Sequence, residues 1–232
     1  FRTRLSSDMF NGLAPWLVRL PGGLLHVNIV GCGVMAAVAG SSAVTCATVG
    51  RMSIPELRKR GYDEGLSIGT LAGSGTLGLL IPPSIMLIVY GVLAQQSISR
   101  LFIAGVLPGI LIISIFMAYV SIRSILNPKL APIETFNMSF TEKLKASRHL
   151  IPVIGLILCV IGSIYGGYAT PTEAATVGVI GALILAGLTK SLSWASFMES
   201  LMGGVRTSCM ISFILVGAAF LSVALGFTGV PR

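Results

Sequence analysis

Apolar residues in this chain are grouped in long runs that polar and basic residues separate. Four uninterrupted runs occupy residues 101–120, 150–163, 174–188 and 209–227. A fifth run, residues 66–94, has a helical pattern but contains two adjacent prolines, Pro82 and Pro83, in its middle. A helix that crosses a bilayer needs about 20 apolar residues. The pattern therefore predicts a series of membrane helices, one of which is broken.

The break at Pro82 and Pro83 frees backbone carbonyls at membrane depth. Two prolines remove two backbone donors and disfavour helix in the preceding residue, so carbonyls near residues 79–81 lose their intrahelical partners. Within a bilayer such carbonyls are tolerated only where protein buries them or where they line a wet cavity. Transporters use such breaks to bind cations and substrates, so the break is a candidate binding site.

Two shorter apolar segments, residues 24–39 and 43–54, precede the broken run and are joined by a Gly-Ser-Ser tip. At about 1.5 Å per residue the longer one reaches about 24 Å, which is less than the roughly 30 Å hydrocarbon core. Basic residues flank both outer ends, at Arg19 and at residues 58–60. We therefore predict a re-entrant hairpin whose tip lies near mid-membrane, where carbonyls and hydroxyls replace water around a hard cation. The alternative is a close helix contact made by small residues.

Composition and charge agree with a membrane protein. The chain is 54% hydrophobic and 10% charged, with a mean hydropathy of +0.90, so it has more apolar surface than a soluble domain of 232 residues buries. Apart from Arg100 and Arg232, the basic residues fall in alternate connections, which places those connections in the cytoplasm. The net charge of +8 therefore reflects topology, and nucleic acid is not an expected partner.

Four further features have local interpretations. Residues 1–20 carry an apolar stripe at helical spacing with Trp16, which is typical of an interfacial arm. Thr170, Pro171 and Glu173 have the spacing of a capping box, so we interpret Glu173 as a helix cap in preference to a coupling carboxylate. Asn28, inside the first hairpin arm, either orients the tip or packs with a satisfied amide. Residues 194–201 predict an interfacial turn before the last apolar run.

A set of short motifs occurs in a specific order along the chain. They are Ala39-Gly40-Ser41-Ser42, Gly50, Ile54-Pro55-Glu56, Arg60-Gly61-Tyr62-Asp63, Gly75-Thr76-Leu77-Gly78, Ile81-Pro82-Pro83-Ser84, Tyr90-Gly91, Leu101-Phe102, Ala104-Gly105, Pro108-Gly109 and the segment 166–175, which reads GGYATPTEAA. In order and spacing they resemble the large permease subunit of TRAP transporters. The resemblance covers most of the chain.

The resemblance implies an all-α polytopic membrane protein with an inverted-repeat, elevator-type transporter fold, in which each repeat has a re-entrant hairpin and a broken helix. On this map the segments are an interfacial arm helix at 1–20, the re-entrant hairpin at 21–62, the broken helix with its return helix at 63–126, a cytoplasmic linker at 127–148 and the first helices of repeat two at 149–232. The hairpin and broken helix of repeat two are expected beyond Arg232.

The family's first sodium site, carried over by position, falls on both irregular segments. The cation-binding residues implied are Gly40, Ser41, Ser42, Thr76, Gly78, Ile81, Pro82 and Ser84, and those implied for substrate are Ser42, Pro83 and Ser84. Sodium is the only metal expected, and no other cofactor is implied. Many members have Ser-Gly-Ser at the tip, whereas this chain has Ala39 before Gly40 and an added Ser42.

The implied function is that of the permease subunit in a sodium-coupled, binding-protein-dependent importer of organic acids, such as C4-dicarboxylates or sugar acids. Its partners are a small four-helix membrane subunit and a periplasmic substrate-binding protein, and its location is the bacterial inner membrane. The alternatives are a sodium-coupled carboxylate transporter without a binding protein and a structural membrane scaffold. An enzyme is not expected, because the H-E-x-x-H motif is missing from the sequence and its eight acidic residues suggest no acid or metal cluster.

Overall fold

The computed structural model describes residues 12–132, 140–148, 150–188 and 192–228. All regular structure within these ranges is helical, which confirms the predicted all-α polytopic class. Three helices are long and apolar enough to cross a membrane: Ile98–Leu126, Pro171–Leu188 and Trp194–Thr228. Parts of the predicted arm, linker and second-repeat segments lie outside the described residues, namely residues 1–11, 133–139, 149, 189–191 and 229–232.

The predicted hairpin consists of helices α1 (Leu25–Ala39) and α2 (Ser42–Lys59), which pack along each other. Gly40 ends α1 in the left-handed conformation, at φ 58°, and its N–H donates to the carbonyl of Ala36 at 2.9 Å. Glycine adopts this conformation without a Cβ clash, which makes it the usual residue at such helix ends. Helix α2 continues through Pro55, beyond the predicted end of the arm, because Leu57 is buried and Glu56 pairs with Arg60 at 2.6 Å.

The segment predicted as a broken helix is helical on both sides of the two prolines. Helix α3 (Glu64–Gly75) begins at Asp63, whose side chain accepts a hydrogen bond from the N–H of Leu66 at 2.7 Å. A 3₁₀ turn at Thr76–Leu79 follows it, and after residues 80–84 the next helix is α4 (Ile85–Leu93). The regular α-helix thus ends at Gly75, earlier than the prolines alone predict, and the Pro82–Pro83 peptide bond is cis.

Helix α5 (Ile98–Leu126) returns alongside the break as one continuous helix of 29 residues. At about 1.5 Å per residue it is about 43 Å long, which is enough to cross the bilayer. A Cβ at Gly105 would lie 2.8 Å from the carbonyl oxygen of Leu80, and one at Gly109 would lie 3.0 Å from the Ile81 side chain. Glycines on α5 therefore allow the break to pack directly against this helix.

Helix α1 lies at the centre of the packed core. Its side chains from Leu25 to Ala36 are mostly buried, and it contacts α2, α3 and α5. The largest cluster joins α1 to Leu57, Tyr62 and Val120, and the N–H of Leu24 donates to the Tyr62 hydroxyl at 3.2 Å. Helix α1 is thus packed against three other helices, and the tip that follows it is positioned by packed elements.

The remaining helices are α6 (Phe140–Ser147), α7 (Ile151–Tyr165), α8 (Pro171–Leu188) and α9 (Trp194–Thr228). Helix α6 contacts the helical residues 12–17 through Trp16, whose Nε1–H donates to Ser147 Oγ at 2.8 Å. The residues of the predicted interfacial turn, 194–201, are helical and continue directly into the last apolar run, so that α9 is a single helix of 35 residues. Its sequence has no proline, and Gly203 and Gly204 are tolerated within the helix.

Candidate cation site at the hairpin tip and the helix break

The hairpin tip and the helix break, predicted separately from the sequence, lie against each other. The N–H of Ile85, the first residue of α4, donates to the carbonyl oxygen of Gly40 at 3.3 Å. A Cβ at Gly78 would lie 2.7 Å from the carbonyl carbon of Ser41, and a Cβ at Gly40 would lie 2.9 Å from the carbonyl oxygen of Pro83. Both distances are too short for a real Cβ, so glycine at both positions permits the contact.

The predicted hydroxyl ligands differ in their burial and in their hydrogen bonds. Ser84 is fully buried, and its hydroxyl donates to the carbonyl of Leu79 at 2.6 Å, which closes the break on itself. The hydroxyl of Thr76 donates to the carbonyl of Gly73 at 2.7 Å, and the residue is exposed. Ser41 and Ser42 are half-buried, and within the described ranges their hydroxyls make no hydrogen bond.

Backbone oxygens contribute further polar groups. In the described part of the chain, no donor is hydrogen-bonded to the carbonyls of Ile81, Pro82 or Pro83. Pro82 is fully buried, and its two neighbours in this loop are half-buried. Unpaired carbonyls and neutral hydroxyls are oxygen ligands that suit a hard monovalent cation. The described residues contain no cluster of three or more His, Cys, Asp or Glu that could hold a metal ion. The polar groups named at the tip and the break are neutral oxygens.

Thr45 is a residue of this region that the sequence-based prediction did not include. It is fully buried, and its hydroxyl oxygen has no hydrogen-bond partner among the described residues. It follows Ser41 by one helical turn, and its N–H donates to the Ser41 carbonyl at 3.0 Å. The signal in the sequence is a hydroxyl four residues after the tip serine, on the face of α2 that also carries Val49 and Leu57.

Asn28 does not reach the tip. Its amide nitrogen lies 3.5 Å from the Ser67 carbonyl and 3.4 Å from Thr70 Oγ1, and these contacts tie α1 to α3. Of the two interpretations that the sequence left open, the structure supports packing. The amide oxygen has no partner among the described residues, so the amide is only partly satisfied.

Glu173 forms the predicted capping box. Its carboxylate accepts hydrogen bonds from the backbone N–H and the hydroxyl of Thr170, both at 2.8 Å. The N–H of Glu173 lies 3.4 Å from the Thr170 hydroxyl oxygen, which completes the reciprocal pair. The carboxylate therefore stabilises the start of α8. Its hydrogen bonds to Thr170 explain why a charged residue stands in the first turn of an apolar helix.

A separate groove of about 660 Å³ runs between α3 and α5. It is lined by the glycines of α3, namely Gly65, Gly69 and Gly73, and by Phe116 and Tyr119 of α5. Gly73 packs against the Phe116 ring, where a Cβ would lie 3.5 Å away, whereas no atom lies within 4 Å of a Cβ at Gly69. The lining contains no residue of the tip or the break, so the groove is distinct from the candidate site.

The comparisons with known proteins agree on one family. Residues 2–232 match the family described as the DctM component of the tripartite ATP-independent periplasmic transporters. The ectoine/5-hydroxyectoine TRAP transporter large permease protein UehC of Ruegeria pomeroyi is 35% identical over 100% of this chain and 54% of its own length. The C4-dicarboxylate TRAP transporter large permease protein DctM of Pseudomonas aeruginosa is 32% identical over 91% of this chain and 49% of its own length.

The isethionate TRAP transporter permease protein DctMQ of Oleidesulfovibrio alaskensis is 33% identical over 98% of this chain and 36% of its own length. The chain thus spans about half the length of the first two relatives and a smaller part of the third.

These matches agree with the predicted class and location. The relatives are transporter permeases and not enzymes, as the sequence predicted. Together with the apolar helices, the family confirms a multi-pass protein of the bacterial inner membrane. The match along nearly the whole sequence confirms the resemblance first seen in the tip and Pro-Pro motifs: the chain belongs to the DctM family of TRAP transporter large permeases.

Proposed function

We propose that the chain forms part of the membrane permease of a sodium-coupled, binding-protein-dependent importer of organic acids. The observation that carries this proposal is the contact between the hairpin tip and the helix break. Two irregular segments meet through Gly40 and Gly78, and they bring unpaired carbonyls and hydroxyls together inside an apolar protein. Neutral oxygens at a break in membrane helices are the arrangement that ion-coupled transporters use.

The residues of the tip and the break fit sodium by their chemistry. Carbonyls of Ile81 and Pro82, the hydroxyls of Ser41 and Ser42 and the backbone around Gly78 would hold the ion, with Gly40, Thr76 and Ser84 completing the proposed set. When bound, the ion supplies positive charge that reduces the cost of desolvating a carboxylate nearby. We propose that Ser42, Pro83 and Ser84 face the substrate.

The packing of the hairpin supports a rigid moving unit. Helix α1 is buried between α2 and α3, and the tip is hydrogen-bonded to the first residue of α4. We propose that the hairpin and the broken helix move together past a scaffold that includes part of α5. Gly105 and Gly109 on α5 let the break pack directly against this helix, which places α5 next to the proposed moving unit.

The proposed partners are a small four-helix membrane subunit and a periplasmic substrate-binding protein. The relatives are named for ectoine, C4-dicarboxylates and isethionate, so substrates differ within the family. We propose an organic acid as the class for this chain. The neutral oxygens of the site support an anionic substrate, because a bound cation leaves one positive charge for the substrate to balance.

Uptake into proteoliposomes tests the proposal. The complete large permease and its small partner are reconstituted, and uptake of labelled organic acids is measured with an inward sodium or potassium gradient, with and without the binding protein. The proposal predicts uptake that requires both sodium and the binding protein. Uptake that requires sodium alone would reject the role of the binding protein, and absence of uptake in every condition would favour a scaffold.

A further inference from the structure

We infer that Thr45 supplies the side-chain oxygen that completes the cation site at the hairpin tip, an assignment that rests on the proposed function. No member of the predicted ligand set combines full burial with an unpaired hydroxyl. Ser84 is buried but donates to Leu79, whereas Ser41 and Ser42 are only half-buried. Thr45 has both properties within the described structure.

The burial of an unpaired hydroxyl requires an explanation. Transfer of a hydroxyl from water to an apolar interior is unfavourable unless a partner compensates, and buried polar groups in proteins are therefore nearly always paired. Valine has almost the same shape as threonine and would fill this position without that penalty. A hydroxyl retained here is explained by a partner that the protein takes up from outside.

The position of Thr45 places its side chain next to the tip. It stands four residues after Ser41, on the same side of α2, and its N–H donates to the Ser41 carbonyl at 3.0 Å. Side chains of a helix lean towards its N-terminus, and the N-terminus of α2 is the tip itself. The Ser41 carbonyl is also where the backbone of Gly78 comes closest to the hairpin, so Thr45 lies beneath the contact between tip and break.

Ser53 provides a control in the same helix. It is also fully buried, its hydroxyl also has no partner in the described part of the chain, and it lies on the same buried face of α2. It stands two turns further from the tip than Thr45. If an unpaired hydroxyl on this face were only a packing feature, the two residues would respond alike to substitution.

Thermal unfolding of the purified complete large permease tests the inference without measuring transport. Unfolding temperatures are recorded while sodium chloride replaces choline chloride at constant ionic strength, for the wild type, Thr45→Val, Thr45→Ser and Ser53→Ala. We expect Thr45→Val to raise the sodium concentration for half of the stabilisation by about tenfold or more, equivalent to about 1.4 kcal/mol of binding free energy. Thr45→Ser, which keeps the hydroxyl, should restore most of the sodium response, and Ser53→Ala should titrate as the wild type does.

The results that overturn the inference are distinct from failure of the proposed function. If Thr45→Val titrates like the wild type, or if Ser53→Ala shifts the titration equally, Thr45 has no role at a cation site. If the wild type itself shows no stabilisation specific to sodium, the proposed sodium coupling is wrong and the assignment of Thr45 falls with it. Thr45→Ala, which introduces no new atoms, repeats the comparison should valine disturb folding.

Discussion

The hairpin tip and the turn before α8 both interrupt apolar helices with glycine and hydroxyl residues, but they satisfy their polar groups differently. In the turn, Thr170 and Glu173 pair with each other through the capping box. At the tip and the break, the Thr45 hydroxyl and the Pro82 and Pro83 carbonyls have no partner in the described structure. The turn therefore satisfies its own polar groups, whereas the tip and the break keep polar groups that remain available to a ligand.

The glycines of the two regions show the same contrast. Gly40 and Gly167 both have positive φ, at 58° and 72°. A Cβ at Gly40 would meet the Pro83 carbonyl at 2.9 Å, whereas no atom lies within 4 Å of a Cβ at Gly167. The glycine of the turn is required by conformation alone, and that of the tip by conformation and by contact with the break. Substitutions can separate these two requirements.

The largest effect is expected for Gly78→Ala. The added methyl would lie 2.7 Å from the Ser41 carbonyl carbon and 2.8 Å from the Ser42 nitrogen, so the tip and the break must move apart. We expect loss of most sodium-driven uptake and about 1–3 kcal/mol of destabilisation, the usual range for overpacking. Gly69→Ala is the control, because a Cβ there meets no atom within 4 Å, and it should transport at the wild-type rate. Equal loss of uptake in both variants would mean that transport does not depend specifically on the contact between the tip and the break.

The next comparison is Gly40→Ala against Gly167→Ala. Each places an alanine in the left-handed region, which costs about 1–2 kcal/mol, so unfolding temperatures should fall in both. Only Gly40→Ala also pushes against the Pro83 carbonyl, so only this variant should require more sodium for half-maximal uptake. A matching sodium requirement in the two variants would contradict the distinction between tip and turn.

A smaller effect is expected for Ser84→Ala. The substitution removes the hydroxyl that donates to the Leu79 carbonyl and leaves that carbonyl without its side-chain donor. We expect a loss of about 1 kcal/mol in stability, typical of one hydrogen bond, with a weaker sodium response because the break is less well ordered. Denaturation and sodium titration of the same preparation would measure both, and Ser114→Ala, at an exposed serine of α5 whose hydroxyl also donates to a helix carbonyl, is the control. An unchanged sodium response would remove Ser84 from the site.

The smallest effect on transport is expected for the capping box. Thr170→Ala should lower stability by about 1 kcal/mol, the usual cost of losing an N-cap, without changing the sodium dependence of uptake. Glu173→Gln keeps a side-chain oxygen that can accept from the Thr170 N–H, so it should retain transport. Abolished uptake in Glu173→Gln with normal folding would instead identify Glu173 as a coupling carboxylate.

Local patterns in the sequence were enough to predict the main irregular segments. Short apolar arms with basic residues at both ends predicted the hairpin, and two adjacent prolines predicted the break between α3 and α4. The capping box followed from the spacing of Thr170 and Glu173 alone, because both partners lie within one turn. The family resemblance implied one site at the tip and the break, and the hydrogen bond from Ile85 to Gly40 shows that these two segments are in contact.

Features that depend on packing between distant elements could not be predicted in this way. The burial of Thr45 depends on how α2 rests against α1 and the 3₁₀ turn, which no local pattern specifies. The early end of α3 at Gly75 accompanies the close approach of Gly78 to Ser41, which only the folded chain reveals. The sequence predicted an interfacial turn before the last apolar run, but it did not predict that both belong to one helix, α9, which continues through Gly203 and Gly204.

Binding of radioactive sodium to the purified complete large permease, compared between the wild type and Gly78→Ala, shows whether the tip and the break hold one cation together. We expect saturable binding in the wild type that potassium does not displace, and a severalfold weaker affinity or loss of that binding when the added methyl separates the tip from the break. Binding of equal affinity in a folded Gly78→Ala protein would contradict the claim that these two segments together hold the cation.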